Sequence, residues 1–153
     1  MSIEIRPATL DDLPVLKAFE QGIVKAERPF DPTIKPDPVS YYNLEDYIRS
    51  KDAEVVVAEE GGELIGSGSA IKKKSRHYQV PEYHAYLGFM FVPEVHRGKG
   101  INKLIMNALM GWAAERNLSE IRLTVYSDNR PAIRAYEKIG FDGYLTEMRL
   151  KME

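Results

Sequence analysis

The chain contains no cysteine. Disulfides, thiolate metal sites and a covalent cysteine intermediate are therefore excluded, and no metal is expected; the composition fits a reducing compartment. No apolar run approaches the roughly 20 residues that a membrane span needs. The opening residues, Met1-Ser2-Ile3-Glu4-Ile5-Arg6, lack the basic and apolar regions of a signal peptide. The expectation is a cytoplasmic protein with no membrane partner. Neither sign of charge dominates: 21 Lys and Arg stand against 23 Asp and Glu, a net charge of −2. Such a chain offers no broad basic field to nucleic acid and no acidic tail. The one basic run, Lys72 to His77, lacks the interleaved aromatics of a base-stacking surface, so nucleic acid is not an expected partner. No Walker A loop and no Gly-x-Gly-x-x-Gly fingerprint occurs. Repeats, linkers and low-complexity segments are also missing, and 153 residues suit one domain over 1–153.

What is present alternates between strand and helix patterns. Ile3 and Ile5 alternate with Glu4 and Arg6, a short half-buried strand ended by Pro7. Thr9, with an acidic residue three positions on, opens a helix whose face carries Leu13, Leu16, Phe19 (or Glu20) and Ile23. Arg28 to Pro38 holds four prolines and must be an extended loop, either a rigid connector or one wall of a cleft. Ser40 is placed to cap a second helix over 41–50. Glu54 to Glu59 and Leu64 to Ile71 read as two strands of a hairpin around Gly61-Gly62. Gly66 and Gly68 in the return strand suggest a bulge or a close backbone neighbour. The basic run from Lys72 to His77 reads as a solvated loop, or as a patch that attracts phosphates or an acidic acceptor. A long central strand follows over 80–92, with a possible bulge at Gly88. A helix from about Gly98 to Arg116 and a strand over 120–126 come next. Ser127-Asp128-Asn129 caps a further helix that stops at Gly140, and 141–152 supplies one last strand, or two broken near Gly143. The sum is one α/β domain around a mixed sheet.

The whole is organised around Val92-Pro93-Glu94-Val95-His96-Arg97-Gly98-Lys99-Gly100-Ile101-Asn102. Ile101, Leu104, Ile105, Ala108, Leu109 and Trp112 form one apolar helical face, while 86–92 is a nearly continuous apolar strand. A strand that turns directly into a helix aims unpaired amides and the positive end of the helix dipole at one spot. Gly98 and Gly100 let an anion approach the main chain, and Arg97 and Lys99 add charge. The stretch reads either as a tight turn or as a phosphate or pyrophosphate cradle.

Two ordered motifs resolve that choice. Arg97-Gly98-Lys99-Gly100-Ile101-Asn102, preceded by the strand ending Phe89-Met90-Phe91-Val92, resembles the acetyl-CoA pyrophosphate loop of the GNAT acetyltransferase superfamily. The segment from Asn129-Arg130-Pro131-Ala132 through Tyr136 to Gly140-Phe141 resembles that family's Asn-x-x-Ala-x-x-x-Tyr-x-x-x-Gly-Phe pattern. Asn102 departs from it, standing where Gly or Ala is usual. The resemblance implies a single GNAT-like α/β (α+β) domain with a mixed, mostly antiparallel central sheet flanked by helices. It implies an acetyl-CoA-dependent N-acetyltransferase that moves acetyl directly to a primary amine of a small molecule or peptide. Met90, Phe91 and Val92 would hold the pantetheine arm through their backbone. Arg97, Gly98, Lys99, Gly100, Ile101, Asn102 and Lys103 would hold the pyrophosphate, and Asn129 would contact the CoA arm or cap its helix. Tyr136 would protonate the departing thiolate. The family's usual glutamate base is missing: Thr124 occupies one such position, and His84 near the other is the titratable candidate. Glu20, Glu27 and Asp31 are the carboxylates that could hold a cationic amine. A homodimer is a family-level expectation. A non-catalytic acyl-CoA-binding module is the alternative.

Overall fold

The computed structural model describes residues 2–153. Its frame is a five-stranded sheet: β1 (Glu4–Pro7), β2 (Ala53–Glu60), β3 (Glu63–Lys74), β4 (Tyr83–Phe91) and β5 (Ile121–Arg122), in that spatial order. The first four strands are antiparallel, and β5 joins β4 in parallel. The helices are α1 (Leu13–Glu27), α2 (Leu44–Arg49), α3 (Ile101–Glu115) and α4 (Arg130–Ile139). This is the mixed, mostly antiparallel sheet flanked by helices that the motifs imply.

Helices cover both faces of the sheet, so the central strands are apolar on both sides. Along β2, Val56 and Ala58 join a core with Ile101, Ile105 and Leu109 of α3. The alternate residues Val55 and Val57 join a second core with Leu16, Phe19 and Ile23 of α1 and Leu44 of α2. The two-residue period of a strand distributes these side chains between the two cores. Gly66 and Gly68 mark a close neighbour, which is α3. A Cβ on Gly68 would lie 2.6 Å from Cγ2 of Ile105, and one on Gly66 would lie 2.8 Å from Cγ2 of Ile101. The missing side chains let α3 lie directly on β3.

Five elements differ from the sequence reading, each for a physical reason. Arg28–Phe30, expected as extended loop, instead continues from α1 as a single 3-10 turn closed by the Asp31 amide donating to the Arg28 carbonyl at 3.2 Å; Pro29 sits at its start, where no amide is needed. The second helix begins at Leu44, not Tyr41, and its N-cap is Asn43, whose side chain accepts from the Asp46 amide at 3.2 Å. The Glu20 carboxylate accepts from the Tyr41 and Tyr42 amides, both at 2.8 Å, and holds that stretch outside the helix. Ser40 is turned to the same carboxylate. The lysines of the basic run lie in a strand rather than a loop. β3 continues to Lys74 because β4 offers partners as far as Tyr83. The ammonium groups of Lys72 and Lys73 sit over the Tyr83 and Tyr86 rings, each 4.5 Å from the centroid.

The expected strand over 120–126 is paired only at Ile121 and Arg122. Beyond Arg122 it leaves β4, and that divergence opens a cleft. The expected strand or strands over 141–152 are not formed. Alternating apolar residues do not make a strand without a ladder partner, and Tyr144, Leu145, Met148, Leu150 and Met152 are exposed. This segment is tied back by Arg149, which donates to Thr33 and to Asp31.

Candidate active site

The cleft, about 460 Å³, lies where β4 and the chain after β5 part. Met90, Phe91 and Val92 line one side, and Thr124, Val125 and Tyr126 the other. The N-terminal end of α3 and its preceding turn, from His96 to Asn102, form a third wall, without Lys99. Asn129, Ala132 and Tyr136 of the α4 region close the base, while Ile23, Ala26 and Glu27 at the end of α1, with Phe30 in the 3-10 turn that follows it, form the roof.

A bulge shapes the β4 wall. Between Ser67–Phe91 and Ser69–Gly88 the pairing carries one more residue on β4 than on β3. The extra residue falls beside the expected Gly88, at Phe89, whose φ is 54°. An aromatic residue rarely adopts that conformation unless its surroundings fix it. Here the Phe89 amide donates to the Tyr42 hydroxyl at 3.1 Å, and the Ser67 hydroxyl donates to the Phe89 carbonyl at 3.1 Å. Because β5 pairing ends at Tyr86, the edge of β4 running to Val92 faces the cleft rather than a neighbouring strand.

The α3 wall has the features of an anion cradle. Gly98 and Gly100 have φ of 83° and 77°, and a Cβ on either would meet no atom within 4 Å. The first bond into the helix runs from the Leu104 amide to the Gly100 carbonyl. The amides of Ile101, Asn102 and Lys103 precede it, in the part of a helix where N–H groups lack internal partners and the dipole favours negative charge. Asn102 is half-buried in the wall. Arg97 stands beside it, its Nε donating to the Val92 carbonyl at 3.0 Å, a contact that ties the cradle to the end of β4. The side chains of Lys99 and Lys103 do not line the cleft; Lys99 instead approaches Nδ1 of His96 at 3.1 Å. An elongated ligand with a diphosphate at the α3 end and an extended arm along β4 fits these walls.

Tyr136 sits at the base on the inner face of α4, edge-on to Phe141 with centroids 5.8 Å apart. Burial, with the Glu27 carboxylate, pushes its pKa above the ordinary 10.0. It is therefore a neutral O–H donor at physiological pH. Asn129 lines the cleft and caps α4, its side chain accepting from the Ala132 amide at 3.4 Å.

His84 is not brought to the cleft. It is buried on β4, with Nδ1 2.8 Å from the Ser75 hydroxyl. Burial, with help from Arg122 and Lys73, lowers its pKa and keeps it neutral. Its place in the fold is that of a hydrogen-bonded core group. The sequence allowed the segment carrying Phe30 as a cleft wall but did not assign Tyr126 to the site; their rings stack 6.0 Å apart beside the cleft. They are 96 positions apart in the chain, and only the fold joins them.

A profile of the acetyltransferase (GNAT) family matches residues 21–141. A segment of 46 residues is 44% identical to a streptothricin acetyltransferase from Streptomyces lavendulae, covering 30% of this chain and 24% of that protein. The matched segment thus spans about a quarter of that relative's length. Among solved structures, a mutant protein from Bacillus halodurans superposes with a TM-score of 0.85 at 20% identity, covering 98% of this chain and 99% of the other. A predicted acetyltransferase from Clostridium acetobutylicum, solved with acetyl-CoA, superposes with a TM-score of 0.76 at 19% identity, covering 98% and 96%. These structural likenesses bear on the fold alone.

Proposed function

The chain belongs to the acetyltransferase (GNAT) family, and from that premise we propose that it transfers acetyl from acetyl-CoA directly to a primary amine of a small molecule or peptide. One observation carries the reading: the glycine-bearing turn into α3, the open edge of β4 and Tyr136 all line one cleft.

The diphosphate of acetyl-CoA would lie on the amides at the start of α3, with Arg97 beside it. The pantetheine arm would run along Met90 to Val92 as an added strand. A β4 amide would polarise the thioester carbonyl as negative charge develops on its oxygen. Tyr136 would give its proton to the departing sulfur. With no cysteine in the chain, a cysteine-borne acetyl-enzyme is impossible, which supports direct transfer in a ternary complex.

The relative from Streptomyces lavendulae is named for a small-molecule acceptor, and this supports an amine of that kind. No helix among the described residues is long and apolar enough to cross a membrane. A cytoplasmic setting and a homodimer remain expectations of this reading.

The test is thiol release from acetyl-CoA in the presence of a panel of primary amines: streptothricin, 1,5-diaminopentane and a lysine-containing peptide. Amine-dependent release is the expected result. Tight acetyl-CoA binding without transfer to any amine would instead favour a non-catalytic sensor.

A further inference from the structure

If the cleft carries out amine acetylation, some group must hold the incoming ammonium and remove its proton, because only the neutral amine attacks a thioester. Three carboxylates on α1 or just after it are candidates, and the fold separates them by what each already does. Glu20 is buried, with its oxygens taken by the Tyr41 and Tyr42 amides and the Ser40 hydroxyl. It shapes the loop before α2. Asp31 accepts from the Thr33 amide at 3.0 Å, the Tyr126 hydroxyl at 2.9 Å and Arg149 at 3.2 Å. Those bonds hold its pKa well below the ordinary range, and its charge is already paired.

Glu27 is different. It is half-buried at the last turn of α1 and lines the cleft. The buried Tyr41 hydroxyl, which has no partner at normal hydrogen-bond distance, faces its carboxylate. The other titratable groups around it are Asp31, Tyr42 beside Tyr41, Tyr126 beyond β5, and Tyr136 on α4. Burial raises its pKa above the ordinary 4.5 more than the Tyr41 hydroxyl lowers it, and the Asp31 charge adds a smaller upward push. That shift moves the group toward the range where a carboxylate is an effective base near neutral pH. The surrounding rings add a second feature. Phe30, Phe91, Tyr126 and Tyr136 line the same cleft, and aromatic faces attract a cation.

We propose that Glu27 is a catalytic residue of this chain, which holds a cationic primary amine against the aromatic wall and takes its proton. The inference rests on the acetyltransferase reading above. The ammonium gives one proton to the Glu27 carboxylate. The neutral nitrogen then forms a bond to the acetyl carbon, the carbon–sulfur bond breaks, and the Tyr136 proton passes to sulfur. The nitrogen's surplus proton returns to Tyr136, directly or through water, and Glu27 releases its proton to solvent. The products are the amide, CoA thiol and one proton. The acceptor class is a cationic amine without an acidic group beside the nitrogen.

The test compares wild type with Glu27→Gln and Glu27→Asp, using the amine panel and the thermal shift with acetyl-CoA. Glu27→Gln should keep the acetyl-CoA shift and lose kcat/KM by about 100-fold or more. Its sign in pH is definite. The base works when ionised, so wild-type kcat/KM should fall as pH drops through a raised carboxylate pKa. In Glu27→Gln that limb should disappear, and the residual rate should climb with hydroxide. Glu27→Asp should retain the acid limb at a lower rate. An unchanged rate and acid limb in Glu27→Gln would overturn the assignment while leaving acetyl transfer intact. Loss of the acetyl-CoA shift in Glu27→Gln would also overturn it and make Glu27 a structural residue. If the wild type itself acetylates no amine, the enzymatic reading fails, and the role of Glu27 fails with it.

Discussion

Tyr136→Phe should lower kcat by about 100-fold or more while acetyl-CoA binding persists. The substitution removes one hydroxyl and keeps the ring, which packs edge-on against Phe141. The helix and its cap at Asn129 do not depend on that oxygen. The loss should fall on kcat, because the hydroxyl is called on only as negative charge gathers on sulfur. The pH dependence follows from the electrostatics. Burial and the Glu27 charge both disfavour the phenolate and raise the pKa above 10.0, so the donor form persists through neutral and mildly alkaline solution. The wild type should therefore show no alkaline loss of kcat from Tyr136 below about pH 10. Unchanged kcat in Tyr136→Phe would remove the tyrosine from the chemistry and leave it as a packed wall.

The second large effect is expected far from the reacting atoms. Gly68→Val should destabilise the fold by roughly 1–3 kcal/mol through overpacking. At about 2–4 °C per kcal/mol for a chain of this size, the fall in Tm is readily measured. The first added carbon would stand 2.6 Å from Ile105, 2.8 Å from the Met90 sulfur and 3.1 Å from Leu109. Met90 can swing aside, but Ile105 and Leu109 are fully buried on α3. The helix must shift away from β3, and its first turn carries the proposed anion cradle. Acetyl-CoA affinity should therefore fall together with Tm. Gly143→Val is the control: an added Cβ there meets nothing within 4 Å, so both Tm and affinity should hold. A Gly68→Val protein with wild-type Tm and affinity would mean that the α3–β3 contact does not set the cradle's position.

The sequence was most legible where one segment carries its own meaning. The apolar stripe from Ile101 to Trp112, the strand before it, and the turn through Gly98 and Gly100 each read from local pattern, and in the structure the strand, the turn and the helix start line one cleft. The Asn129–Tyr136 spacing likewise puts a cap and a tyrosine of a single helix at one cleft. Legibility failed where the outcome depends on a distant partner. Glu20 and Glu27 are seven positions apart on the same helix, yet one is used up by the Tyr41 and Tyr42 amides and the other faces the cleft. No local pattern separates them. An unperturbed histidine titrates in a useful range, but burial lowers the pKa of His84 and its side chain turns to Ser75 across the sheet. Residues 144–152 alternate like a strand, but strand formation needs a ladder that the diverging chain after Arg122 does not supply.

The most direct measurement is the thermal stability of the wild-type protein with acetyl-CoA, free CoA and NAD in parallel. At about 100 times Kd, a ligand that binds only the folded state adds roughly 2.7 kcal/mol, which for a chain of this size raises Tm by about 5–10 °C. A rise of that size with acetyl-CoA and CoA, and none with NAD, is the expected result. No rise with acetyl-CoA at millimolar concentration would contradict the claim that this cleft binds it, and would reduce Arg97 to Asn102 to a turn.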